Sequence, residues 1–131
     1  MLYCEIKNMN TKDLFLFCTR WAFGIWLVYI GAMKFVGGID AYMAYMTGMF
    51  ASTWVPPMLV QTMAVVIAVA EPVLGLMLVR NIRPRFTWVL VTCLMFTLTF
   101  GLTVLEQYPM VANNWQYLIL AIVAASMSDP E

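Results

Sequence analysis

The chain has 131 residues, 63% of them hydrophobic and only 11% charged, with seven basic side chains balancing seven acidic ones. Soluble domains carry roughly a quarter charged residues, so this composition excludes one and points to the bilayer. Zero net charge says nothing of nucleic acid, and with the basic residues explained by membrane topology no nucleic-acid partner is expected; the absence of histidine removes the usual haem ligand, most zinc sites and the commonest general base.

Four stretches are long enough to cross a bilayer, which takes roughly 20 mostly apolar residues: Leu14–Val36, Met58–Val79, Phe86–Leu105 and Met110–Met127. Only helices or closed barrels satisfy their backbone in lipid, and continuous runs of this length read as helices. The first run is too long for a cleaved signal peptide and is read as a retained anchor. Gly37-Gly38 ends it in a turn. Between the first two spans, Tyr42–Phe50 reads as an interfacial or re-entrant segment, and Pro56-Pro57 opens the second span, where proline is tolerated. The third span holds no charge, and the fourth starts among Asn113, Asn114 and Gln116. The expected fold is all-α: a membrane four-helix bundle, with residues 1–131 forming a single transmembrane domain.

Orientation follows the lysines and arginines near helix ends. Lys7, Lys12 and Arg20 cluster at the start of the first span, and Arg80, Arg83 and Arg85 fill the turn between the second and third. Both sets fall on one side when the N-terminus, the middle loop and the C-terminus are cytoplasmic, in a bacterial or archaeal inner membrane. Cys4, Cys18 and Cys93 are widely spaced without a C-x-x-C, which argues against a disulfide scaffold or thiol exchange.

Glu71 is the most telling residue. Apart from tyrosines, no ionisable side chain lies between Asp40 and Glu71, or between Glu71 and Arg80. A carboxylate at that depth is retained only when paired or used. One polar or small-residue seam runs along each span at intervals of three and four, the spacing of one helix face: Arg20, Gly24, Leu27, Gly31 and Lys34; Gln61, Ala64, Ala68, Glu71, Gly75 and Leu78; Thr92, Phe96, Thr99 and Thr103; Asn114, Tyr117, Ala121, Ala124 and Ser128. Small residues permit close backbone approach and polar ones bond across helices. Counted from the cytoplasmic ends at 1.5 Å per residue, Arg20 is about 9 Å deep and Glu71 about 12 Å. A direct Arg20–Glu71 pair is therefore expected, with Lys34 level with Gln61 and reaching Asp40 or Glu106.

That pair has two readings. It fixes helix register, or it lines a polar pocket for a quinone head group or a proton relay, with Glu71 as acid/base, Arg20 tuning it, and Gln61, Asn114 and Tyr117 adding hydrogen bonds. Pro72 removes the amide that would bond the carbonyl of Ala68, leaving an acceptor beside the carboxylate. In the outer segment, Met43, Met46 and Met49 recur every three residues. Thioethers favour Cu(I), while methionine also fills irregular apolar surfaces; interfacial packing is the plainer reading.

Arg20-x3-Gly24-x6-Gly31-x2-Lys34-Phe35, Glu71-x3-Gly75-Leu76-x-Leu78, the basic loop ending near Arg85, and Asn113 or Asn114 before the last span together resemble the DoxX-like family of small four-helix membrane proteins. The resemblance implies an integral inner-membrane subunit of an oxidoreductase or respiratory-type complex, anchoring other subunits and contributing a quinone pocket. The chain carries no flavin, haem or cluster motif, so a quinone is the one cofactor contemplated. Other branches of that family resemble receptor chaperones or cargo receptors, which keeps open a non-catalytic scaffold or chaperone-like role. A small-solute or metal-handling protein using the methionine stripe is the third alternative.

Overall fold

The computed structural model describes residue 4 and residues 7–129. Within them, five helices follow in order: α1 Thr11–Val36, α2 Ile39–Met49, α3 Pro57–Val79, α4 Pro84–Val104 and α5 Tyr108–Met127. Four of these, α1, α3, α4 and α5, are long and apolar enough to cross a membrane, and no strand occurs among the described residues. The all-helical membrane bundle read from composition is what forms. The short α2, 11 residues, rises only about 16 Å and occupies the place of the expected interfacial segment.

The boundaries have local causes. Asn10 caps α1 by accepting the Asp13 amide at 2.8 Å, with Asp13 in the first turn and Lys34 in the last, each matched to the helix dipole. The chain turns into α2 through Gly38 at φ 96°, a conformation glycine adopts without strain. α3 and α4 both open on prolines at the first helical position, where the missing amide costs nothing.

α1 packs most closely on α3 and α4 on α5; α2 lies against α3, while α3–α4 and α1–α5 contacts complete the bundle. The core joins Phe23 and Leu27 of α1, Ile67, Leu74 and Leu78 of α3, Trp88, Val91, Leu94 and Met95 of α4, and Leu118, Ala121 and Ala124 of α5. Phe23 meets the Trp88 and Tyr117 rings edge-on at 5.5 and 6.2 Å, so one aromatic of α1 ties α4 to α5. Ile25, Tyr29, Leu76, Phe96, Phe100 and Ile119 point outward, as suits helices that meet lipid rather than water.

Three glycines fix the register of α1 on α3. A Cβ at Gly24 would lie 2.6 Å from Val79 Cγ2 and 2.9 Å from the Gly75 carbonyl, and one at Gly75 would lie 2.7 Å from the Gly24 carbonyl. A Cβ at Gly31 would collide with the ring of Pro72. Gly24 therefore sits opposite Gly75–Val79 and Gly31 opposite Pro72, with backbones in direct contact.

Candidate functional site

Glu71, on the buried face of α3, is 3% exposed. Its Oε2 accepts a hydrogen bond from Lys34 Nζ at 2.6 Å, and the Lys34 ammonium also lies 4.7 Å from the centre of the Tyr42 ring on α2. The register explains the match. Gly31 sets α1 against Pro72, beside Glu71, and helical side chains lean toward the N-terminus of their own helix. Lys34, one turn beyond Gly31, thus reaches back to the level of the carboxylate. A carboxylate below and an aromatic face alongside compensate a cation that lipid would otherwise penalise.

The expected Arg20–Glu71 contact does not form. Arg20 Nη1 instead donates to the backbone carbonyls of Val79 at 2.8 Å and Leu78 at 3.3 Å. These are among the last carbonyls of α3, which no intrahelical amide can satisfy, and the cation lies at the negative end of the helix dipole. Phe17 and Trp21 flank the guanidinium, each ring centre 5.6 Å away. From Glu71 to Val79 the helix rises about 12 Å. Counting depth from the two helix ends misplaced the pair, because α1 runs past the C-terminal end of α3 instead of ending level with it. The same register corrects Lys34, which turns inward to Glu71 rather than toward Gln61, Asp40 or Glu106.

The remaining residues named for a quinone pocket are dispersed. Gln61 is exposed and lies about 15 Å along α3 from Glu71 at the usual rise. Tyr117 meets Trp26 in a tilted contact at 4.9 Å and Phe23 edge-on at 6.2 Å, and Asn114 is half-buried one turn earlier on α5. Met43, Met46 and Met49 are all half-buried on α2, which rests on α3; that placement suits packing. Cys4, Cys18 and Cys93 are free and exposed.

Two open cavities lie away from Glu71. One, of about 520 Å³, is formed where the segment after α2 meets the α4–α5 turn, by Met49, Ser52, Thr53, Trp54, Glu106 and Gln107 with Val104 and Leu105. The other, of about 450 Å³, is an apolar groove between α4 and α5 bounded by Phe96, Trp115 and Leu118 among others. Within the bundle, polar side chains are satisfied locally. Thr92, Thr99 and Thr103 donate to the carbonyls one turn back, and no buried side-chain nitrogen or oxygen among the described residues lacks a partner.

Residues 12–114, from the start of α1 into α5, match the family described as methylamine utilisation protein MauE. The chain belongs to the MauE family. No curated protein and no solved structure matches it. The match overturns the DoxX-like resemblance, and the geometry shows why those motifs misled. Gly24, Gly31 and Gly75 are where two backbones touch, while Arg20 and Lys34 satisfy a helix end and a buried carboxylate. Such a pattern reports close helix packing, a requirement that unrelated bundles share. In this MauE-family chain, sequence reasoning missed Lys34 as the partner of Glu71 and Tyr42 as its cover; the signal was available in the one-turn offset between Lys34 and Gly31.

Proposed function

We propose that this MauE-family protein is a non-catalytic accessory component of an amine-utilisation system, an inner-membrane scaffold that holds partner proteins. The observation that carries the reading is the internal satisfaction of its polar groups: Glu71 on Lys34, Arg20 on the end of α3, hydroxyls on their own helices. Groups arranged for proton or electron transfer must meet a substrate, whereas these meet one another. A buried ion pair of this kind specifies which helices adjoin and in what register. The clustering of Lys12, Arg20, Arg80, Arg83 and Arg85 at one end supports cytoplasmic termini.

A second reading, an oxidoreductase subunit with a quinone head group at Lys34–Glu71, draws on Pro72, whose missing amide leaves the Ala68 carbonyl without its usual donor beside the carboxylate. One experiment separates the two. The double variant Lys34→Met/Glu71→Leu replaces the pair by apolar groups. A scaffold keeps its partners in mild-detergent pull-down and supports growth of its host on methylamine. If the double variant folds and retains partners yet abolishes growth, the scaffold reading fails and the quinone site gains.

A further inference from the structure

Charge is distributed unevenly along the bundle. Six of the seven basic residues, Lys7, Lys12, Arg20, Arg80, Arg83 and Arg85, belong to the first part of α1 with its approach and to the α3–α4 turn. The seventh, Lys34, is held by Glu71. At the opposite end Asp40, in the first turn of α2, and Glu106, between α4 and α5, form no ion pair among the described residues. That end therefore attracts cations.

Glu106 is also held in a place that suits another residue. It follows α4 at φ 59°, its amide donating to the Thr103 carbonyl at 3.0 Å and the Gln107 amide to that of Leu102 at 2.9 Å. Glycine is the usual occupant of this helix ending. No side-chain bond caps the start of α5, so the carboxylate is not spent there either. A charged residue kept at a backbone cost points to a use for its side chain.

Glu106 lines the cavity of about 520 Å³ between the segment after α2 and the α4–α5 turn, a volume within the roughly 300–1,000 Å³ of small-molecule sites. The Ser52 hydroxyl and the Gln107 carboxamide join it, while Met49, Trp54 and Leu105 supply an apolar wall. Thr53 is already engaged, its hydroxyl donating to the Phe50 carbonyl at 2.7 Å and accepting the Val55 amide at 3.4 Å. No lysine or arginine lines the space. A primary ammonium has three N–H donors and no acceptor, which a carboxylate, a hydroxyl and a carboxamide oxygen satisfy together. An indole ring attracts the same charge through its face.

We propose that this cavity binds a primary alkylammonium ion, with Glu106 as its charge partner, Ser52 and Gln107 accepting the remaining N–H groups, and Trp54 and Met49 against the carbon chain. A quaternary ammonium brings no donor to those acceptors, and a bare cation leaves the apolar wall unused. The site goes beyond the scaffold reading and does not depend on it, since neither Lys34–Glu71 nor the retention of partners enters.

The test uses the full chain in nanodiscs of a neutral lipid, dialysed to equilibrium against radiolabelled n-butylammonium, 1-butanol, tetramethylammonium or sodium in separate arms, with empty nanodiscs subtracted. n-Butylammonium binds saturably, and the other three bind at least about tenfold more weakly, the loss expected when hydrogen bonds to a charged group are missing. Glu106→Gln weakens n-butylammonium by the same factor. Glu106→Gly removes the carboxylate with a residue that suits the left-handed backbone, so it keeps the fold and shows the same loss. Trp54→Leu weakens binding about twofold to fivefold. Absence of saturable n-butylammonium binding, 1-butanol or tetramethylammonium bound as tightly, or undiminished binding by folded Glu106→Gly overturns the proposal. Sodium bound as tightly overturns the organic ammonium as the ligand.

Discussion

Lys34 and Glu71 join α1 to α3 through a 2.6 Å contact between Nζ and Oε2, the carboxylate side chain 4% and the lysine side chain 17% exposed. Removing one partner of such a pair strands a buried charge, at a cost of about 3–5 kcal/mol, whereas replacing both by apolar groups of similar volume is often neutral. Glu71→Leu and Lys34→Met alone are each expected to lower thermal stability in detergent strongly. The double variant should recover most of the loss. A double variant as unstable as the sum of the singles would show that the two side chains do not depend on each other.

Arg20 serves the C-terminal end of α3, whereas Glu71 lies mid-helix on Lys34, and the two share no partner. Hydrogen bonds to a charged group contribute about 1.5–3 kcal/mol, and Arg20→Ala is expected to fall in that range through the uncovered carbonyl of Val79, since that of Leu78 still accepts the Asn81 amide. Distant sites add within about 0.3–0.5 kcal/mol. In a cycle of Arg20→Ala and Glu71→Gln, measured by unfolding in detergent, the interaction energy should stay within that margin. Coupling above about 1 kcal/mol would restore the direct pair that the sequence suggested.

Much of the bundle was legible because apolar runs this long have one structural outcome in lipid. The seams of α1 and α3 were legible too: Gly24, Leu27, Gly31, Ala64, Ala68, Glu71, Gly75 and Leu78 are all buried. The seam of α4 was misread. Its core face carries Thr87, Trp88, Val91, Leu94, Met95 and Thr99, while Phe96, chosen for its spacing with threonines, is 59% exposed. The reason is physical. Threonines satisfy their hydroxyls on their own helix, as Thr92 does on the Trp88 carbonyl at 2.9 Å and Thr97 on Cys93 at 2.9 Å, so nothing obliges them to face protein. The pairing of charges was hidden for another reason: composition gives the length of each helix but not its stagger. That offset lies in which glycine meets which bulky residue.

Lys12 and Asp129 join the start of α1 to the end of α5 at 2.9 Å, but their side chains are 43% and 87% exposed. Exposed pairs contribute about 0–1 kcal/mol and are screened by salt. Lys12→Gln and Asp129→Asn should therefore shift the unfolding midpoint little, and the difference should vanish at high ionic strength. A loss comparable to that of Glu71→Leu would mean that the end of α5 holds the bundle more firmly than its exposure implies.

Gly31 and Pro72 form the tightest point between α1 and α3, where a single methyl on Gly31 meets the proline ring. Overpacking a contact of this kind costs about 1–3 kcal/mol. The backbone cannot yield easily, since Gly24 and Gly75 hold the next turns equally close, so Gly31→Ala should separate the helices locally and lengthen the Lys34–Glu71 contact. Pro72→Ala removes the ring and restores an amide for the Ala68 carbonyl, which makes room for the methyl. The combined variant Gly31→Ala/Pro72→Ala is accordingly expected to be more stable than Gly31→Ala alone, read as the unfolding midpoint in detergent. If adding Pro72→Ala to Gly31→Ala lowers stability further, the collision is not what limits alanine at residue 31, and the register drawn from these two residues is wrong.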